Sequence, residues 1–275
     1  MVMRRDFRSR VVLVSGAAGG LGAALCTRFA AAGASIAALD NSPERLDGLL
    51  RTLHAAGAQA LALPTDITDA PACQRAVDAV LAQWGVIDLL INNAGISHRS
   101  LLAQTDAAVI RRVMDVNFFG AVNLTQAALP HLMVRRGAIV AVSSVAGFAP
   151  LIGRTGYSAS KHALHGFFDS LRSEVRDSGV DVTLVCPSFI RTGIAVAACD
   201  GSGATVSTPR VMTGGESLPG DVAQRVFDAV CAGQTLLLPD ATARKAWWLS
   251  RLAPGLYARL MRQRVGSEFA GLPGQ

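Results

Sequence analysis

The sequence predicts an α/β protein built on a doubly wound parallel sheet. Three observations carry that prediction. Short apolar, β-branched runs recur along the 275 residues, which suits buried strands. Stretches with helical spacing of apolar residues separate them, and such alternation implies right-handed crossovers and parallel strands. Polar residues also gather where the apolar runs end, the place where open sheets of this kind bind ligands.

The first strand is expected over 11–15, from Val11-Val12-Leu13-Val14-Ser15. Gly16-Ala17-Ala18-Gly19-Gly20-Leu21-Gly22 follows, and then a helical pattern runs to Ala32. A glycine-rich turn between a strand and a helix lets backbone approach a pyrophosphate, with the helix N-terminus supplying N–H groups. The second strand, 35–40, ends in Asp40. An acid there accepts hydrogen bonds from adenosine ribose hydroxyls and repels a 2′-phosphate. Asn41, Ser42 and Pro43 bring no cation, so NAD(H) is expected over NADP(H). Capping of the next helix is the competing role for Asp40, but Ser42 before Pro43 fills it better.

The alternation continues with helix 43–56, strand 59–63, helix 69–84 and a strand 87–92 that runs into Asn92-Asn93-Ala94-Gly95. A long helix is expected over 106–129 and a strand over 138–143, ending at Ser143-Ser144. Leu164, Phe167, Phe168, Leu171 and Val175 give the next helix, 156–177, and a strand over 180–186 follows. Asp66, Asn92, Asn93, Ser144 and the stretch 188–192 each follow a different strand. The segment 188–219 is long and rich in Gly, Ser and Thr, which suits a mobile substrate lid. The main domain is expected to end near 240, with 241–275 as a basic amphipathic extension. His98 and Arg99 read as a solvated loop, with lining of the pocket entrance as the second reading.

Tyr157 lies four residues before Lys161, on the helix expected at 156–177. Residues so spaced share a face, so the ammonium can approach the phenol. A free phenol has a pKa of about 10, and a nearby cation lowers it into the range useful for proton transfer.

Composition narrows the class. Hydrophobic residues make up 51% of the chain, enough for a large core. The five cysteines have no metal or C-x-x-C spacing and read as reduced thiols in a cytoplasmic protein. No metal is expected. The first ten residues carry four arginines and no apolar stretch, so no secretory signal is expected. The net charge is +6, and Arg244, Lys245, Arg251, Arg259, Arg262 and Arg264 supply it within 241–266. No zinc spacing, aromatic RNA motif or further basic face accompanies it, so nucleic acid is not an expected partner. Trp247, Trp248, Leu249, Leu252, Leu256, Tyr257, Leu260 and Met261 alternate with those cations, and Pro254-Gly255 divides the run into two helices. The favoured reading is packing on the body; peripheral membrane contact through 241–266 is the second.

These motifs resemble the short-chain dehydrogenase/reductase family. Ser15-Gly16-x-x-x-Gly20-x-Gly22, Asn92-Asn93-Ala94-Gly95, Ser144 thirteen residues before Tyr157, and Tyr157-x-x-x-Lys161 agree in order and spacing over about 11–192. The resemblance implies a Rossmann-like fold, NAD as cofactor and a homodimer or homotetramer. It implies that Tyr157 moves the substrate proton and that Lys161 lowers its pKa and holds the nicotinamide ribose. Ser144 would hydrogen-bond the developing alkoxide, and Asn117 would hold a water linking Lys161 to solvent. Further cofactor contacts are implied for Ser15, Gly16, Gly20, Leu21, Gly22, Asp40, Asp66, Ile67, Asn92, Ala94, Ile190 and Thr192. Ser188 departs from the family's usual glycine. Within the family the helix resembles the branch that handles hydroxysteroids, retinoids and other lipid alcohols, so a small hydrophobic alcohol or ketone is the expected substrate. A non-catalytic dinucleotide-binding scaffold is the alternative. Sugar-nucleotide epimerisation is disfavoured because the chain after Thr192 is too short for that substrate domain.

Overall fold

A computed structural model of the chain describes residues 5–191, 198–206 and 215–265. Seven strands form one parallel sheet: β1 (Val11–Ser15), β2 (Ser35–Asp40), β3 (Ala60–Pro64), β4 (Leu89–Asn92), β5 (Ala138–Val142), β6 (Asp181–Val185) and β7 (Leu236–Leu237). Their order is β3-β2-β1-β4-β5-β6-β7, so the chain reverses its direction of winding between β1 and β4. That is the doubly wound sheet expected, with a crevice at the switch point.

The strand period of two sends neighbouring side chains to opposite faces. Val12 and Val14 meet α1 (Gly20–Ala30), α2 (Pro43–Ala55) and α7 (Pro219–Cys231) on one face. Val11 and Leu13 face the other layer, which holds α3 (Ala70–Trp84), α5 (Gly120–Arg135) and α6 (Thr155–Glu174). Burial on both faces explains why β1 reads as an unbroken apolar run. Ser42 caps α2 as expected, its side chain accepting from Arg45 N–H.

One expected helix differs in detail. Residues 106–129 become α4 (Ala107–Met114), a π-turn over Asp115–Phe119, and α5, which continues to Arg135. Pro130 lacks an N–H and reads as a stop. Leu124, Ala128 and Leu132 nevertheless form one buried stripe on α5, and that packing carries the helix past the proline. Helix α7 and the two-residue β7 were not expected from the sequence.

Beyond β7 the chain forms α8 (Ala241–Leu252) and α9 (Pro254–Val265), divided at Pro254 as the sequence predicts. Ala243 and Tyr257 pack on Val145 and Ala149, flanked by Phe148, Leu249 and Met261. The Trp247 and Phe148 rings meet edge to face at 4.8 Å, and Arg251 stacks over Trp247. Trp248, Leu252 and Leu256 remain exposed. Among the described residues no helix is long and apolar enough to cross a membrane, and no cluster of metal-ligating side chains occurs.

Candidate active site

A cavity of about 920 Å³ opens beyond the carboxyl ends of the strands. One half is the glycine turn. Gly16 has φ +61°, and a Cβ there would lie 2.7 Å from Ala94 Cα; a Cβ on Gly22 would overlap the Gly16 carbonyl oxygen. Both positions require glycine, Gly16 because the loop after β4 presses on a left-handed turn and Gly22 because the first turn of α1 presses on that same turn. No side chain caps α1, so its terminal N–H groups face the cleft. That bare cradle fits a dinucleotide phosphate.

Ser15 does not border the cavity. Its Oγ accepts from Asn93 N–H at 3.1 Å and Ala94 N–H at 3.2 Å, while the Asn93 amide donates to the Ser15 and Gly16 carbonyls at 3.1 and 3.0 Å. Asn93 therefore locks the loop after β4 to the glycine turn, a role the sequence reading did not assign. Asn92, expected on the adenosine side, turns the other way. It is 5% exposed, lies outside the cavity lining, and donates to Thr125 Oγ1 at 2.9 Å. As the last residue of β4 its side chain faces α5, which carries Thr125. Ala94, Gly20, Leu21, Asp66 and Ile67 do line the cavity. Asp66 also accepts from Thr68 N–H and Oγ1 in a local turn.

Asp40 sits at the end of β2, 7% exposed. Its carboxylate accepts from Ala18 N–H at 3.1 Å, Ser42 N–H at 3.1 Å and Arg45 Nη2 at 3.2 Å. The acid thus orders the glycine turn. Arg45, in the first turn of α2, is a cation just beyond Asn41 to Pro43.

The other half of the cavity holds Ser144, Tyr157 and Lys161. Ser144 Oγ accepts from Ala146 N–H at 3.2 Å, which leaves its own O–H to donate. Lys161 is 3% exposed and donates to Val142 O at 2.9 Å. Burial pulls its pKa down to about 8. Its ammonium stands 5.8 Å from the Tyr157 ring centroid. Asn117 lies on the π-turn, 1% exposed and outside the cavity lining. Its amide donates to Ile96 O and Ser160 Oγ, and its oxygen accepts from Ile96 N–H. The Asn117 side chain thus joins the loop after β4 to α6, a use other than the water-holding role expected of it.

His98 is fully buried rather than solvated. Its Nε2 accepts from Gly156 N–H at 2.9 Å, at the start of the helix that carries Tyr157 and Lys161. Burial, helped by the Arg154 charge, lowers its pKa. Arg99 does border the cavity. Ser188, the family departure, donates its N–H and hydroxyl to Asp240 at 3.0 and 2.7 Å, and Asp240 caps α8 through Ala243 N–H. Ile190 lines the cavity and bridges to Ser217. Thr192 and much of the expected lid, 192–197 and 207–214, lie outside the described residues. The far wall is made by Leu151, Ile152, Leu249, Tyr257, Leu260 and Met261.

Comparison with known proteins agrees with this geometry. The family model for short chain dehydrogenase matches residues 10–201. The chain is 38% identical to the dehydrogenase/reductase SDR family protein 7-like of Anopheles gambiae, over 95% of this chain and 84% of that one. It is likewise 38% identical to dehydrogenase/reductase SDR family member 7B of Mus musculus, over 95% and 83%. A short chain dehydrogenase/reductase from Burkholderia phymatum, solved in complex with NAD, superposes with a TM-score of 0.82 at 26% identity, covering 92% of this chain and 96% of that one. The chain belongs to the short-chain dehydrogenase/reductase family, and so is an oxidoreductase.

Proposed function

We propose that the protein is an NAD(H)-dependent dehydrogenase or ketoreductase that interconverts a hydrophobic alcohol and its carbonyl. One observation carries the reading: Ser144, Tyr157 and Lys161 border the same cavity as the glycine turn and Asp40, and the far wall of that cavity is mostly apolar. When bound, the nicotinamide takes up or delivers the hydride. Tyr157 gives a proton to the carbonyl oxygen in reduction, or removes one from the hydroxyl in oxidation. The Ser144 hydroxyl donates to the oxygen as negative charge develops on it. The Lys161 ammonium supports the phenolate and holds the cofactor ribose. Asp40, on the adenosine side, favours NAD over NADP. Leu151, Ile152, Leu249, Leu260 and Met261 support a steroid-like, retinoid-like or other lipid substrate. A non-catalytic scaffold is the weaker reading, because it leaves the conjunction of Ser144, Tyr157 and Lys161 without a use.

Trp248, Leu252 and Leu256 favour a second reading alongside the first. These exposed side chains share α8 and α9 with Lys245 and Arg259, and their opposite face packs on the body. Such a surface suits the headgroup region of an anionic membrane. Phe119, half exposed beside the π-turn, supports a homo-oligomer that pairs α5 and α6 across a two-fold axis.

Turnover of a panel of hydrophobic ketones with NADH, in the wild type and in Tyr157→Phe, tests the main reading. The variant keeps the ring and is expected to lose at least about 10²-fold in kcat with NADH affinity nearly unchanged. Wild-type-like turnover in Tyr157→Phe would overturn the role.

A further inference from the structure

We infer that His165 is a positioning residue for the Tyr157–Lys161 pair and acts through Ser143: the two side chains clamp the end of β5 to α6 and so set the Lys161 ammonium at the phenol. The inference rests on the proposed reaction and concerns residues to which that reaction assigns no step.

Tyr157, Lys161 and His165 recur at intervals of four on α6, so they share one face of the helix. The end of β5, Val142 with Ser143 just past it, grips that face. The Lys161 ammonium donates to Val142 O at 2.9 Å. The Ser143 hydroxyl donates to the backbone oxygen of Lys161 at 3.3 Å. His165 Nε2 lies 3.1 Å from Ser143 Oγ and 3.4 Å from Cys186 Sγ. The one Ser143 proton goes to Lys161 O, which assigns a proton to Nε2 for the bond to Ser143. Lys161 is thereby held at both ends, its ammonium by Val142 and its main chain by Ser143, and His165 pins Ser143 one turn further along the helix. Gly147 makes room for the pair: a Cβ there would overlap Ser143 Oγ and lie 2.8 Å from His165 Nε2.

Placement matters because the attraction of a cation for a phenolate falls with distance, and the ammonium stands 5.8 Å from the Tyr157 ring centroid. Burial keeps His165 neutral, with its pKa lowered to about 4. The clamp therefore adds no charge behind an ammonium whose own pKa burial already pulls down. Asp169, His162 and Lys161 on α6 and Arg251 on α8 face the imidazole, and burial holds the Cys186 thiol protonated beside it. On the cleft side, Arg99, Arg112, Arg154, Lys245 and Arg264 border the same cavity as the phenol. All of these groups stay in place when Ser143 or His165 is replaced, so a change in the titration of the phenol reports the position of Lys161.

The test is a phenolate titration by near-ultraviolet absorbance. Tyr257 is the other tyrosine of the chain, and burial pushes it up to about 12. The first phenolate step therefore belongs to the Tyr157–Lys161 pair and is expected to vanish in Tyr157→Phe. Ser143→Ala and His165→Leu are each expected to raise its midpoint by at least about one pH unit. The double variant is expected to go no further than the larger single, since both break one chain of contacts. His165→Gln, whose amide N–H replaces Nε2 as the donor to Ser143, is expected to keep the wild-type midpoint. With NAD and a hydrophobic secondary alcohol, kcat at pH 7 should fall in step, by at least about tenfold, while the alcohol KM stays within about twofold. An unmoved midpoint in Ser143→Ala overturns the inference, whether or not His165→Leu folds. A His165→Gln midpoint raised as far as that of Ser143→Ala also overturns it, as does a wild type with no Tyr157 step below that of Tyr257. Shifts as expected in a protein that turns over no alcohol would sink the reaction reading and leave the clamp standing.

Discussion

Ser188 and Asp240 are joined twice: the Ser188 backbone N–H and hydroxyl both donate to the Asp240 carboxylate, at 3.0 and 2.7 Å. Ser188 follows β6 and lines the cavity, and Asp240 caps α8 at the start of the extension that supplies Leu249, Tyr257, Leu260 and Met261 to the far wall. The two halves of the site are therefore tied by one carboxylate. Asp240→Ala leaves Ser188 and Ala243 N–H groups unmet, and hydrogen bonds to charged groups contribute about 1.5–3 kcal/mol each. The expected result is a lower melting temperature and a substrate KM raised by about tenfold, with NADH affinity changed far less. Ser188→Gly, the family's usual residue, should show the same pattern more weakly. An equal loss of NADH and substrate affinity in Asp240→Ala would refute the link.

His98 caps the catalytic helix only while Nε2 is unprotonated. Its folded pKa lies below the ordinary imidazole value of about 6.5, so the neutral form is the one the fold stabilises. Above the unfolded pKa both states are neutral and the contribution is complete. As pH falls below it the unfolded chain protonates first, and stability is lost towards the folded pKa. His165, with a pKa lowered to about 4 by burial, adds in the same direction. His98→Phe is expected to cost about 1 kcal/mol, the scale of a lost N-cap, and to lower turnover by displacing Tyr157 and Lys161. His98→Gln keeps an acceptor that does not titrate. Its melting temperature should fall less than the wild type's between pH 7 and pH 5, as read by thermal denaturation across that range.

Asp40 holds Arg45 at 3.2 Å, and its charge is expected to repel a 2′-phosphate. Replacing Asp40 by Ser removes the repulsion and releases the Arg45 guanidinium in the same step. Adding Asn41→Arg supplies a second cation. The wild type should favour NAD in kcat/KM, and the double variant should shift the NAD-to-NADP ratio by at least about tenfold towards NADP. Steady-state rates with both cofactors decide it; a wild type that uses NADP better is incompatible with this role for Asp40.

The exposed face of α8 and α9 predicts sedimentation with anionic vesicles at low salt and release as salt is raised. Trp248→Ala combined with Leu252→Ala should weaken that binding and leave turnover of short, soluble ketones within about twofold, because both side chains point away from the cavity. The membrane reading fails if the full chain ignores anionic vesicles, or if a truncation after Pro239 binds them no worse.

The doubly wound parallel sheet and most of the residues that border the cleft were legible because each rests on local pattern. Val11 to Ser15 is apolar on both faces, Pro254 ends a helix, and Tyr157 and Lys161 share a helical spacing. What was not legible depends on contacts distant in sequence. Nothing near His98 says that it meets Gly156, and nothing near Asn92 says that its side chain faces Thr125 rather than the cleft. Arg45 lies past Asn41 to Pro43 in sequence, yet the first turn of α2 brings residue 45 back over residue 40. The π-turn at Asp115–Phe119 has no composition that separates it from an α-helix, and helix α5 outlasts Pro130 only because Leu132 finds the core.

The two halves of the cleft also differ in when they exist. The glycine turn, Asp40 and Asp66 come from consecutive strand–helix units near the start of the chain, whereas Tyr257 meets Val145 and Ala149 across more than a hundred positions. Contacts that close long loops form late. On the ribosome, β1 to β3 emerge well before the residues of the far wall. The same asymmetry runs backwards under stress, because a small cluster at the chain's end opens at lower free energy than the central sheet. Warming or nicking is therefore expected to cost substrate recognition before it costs cofactor binding.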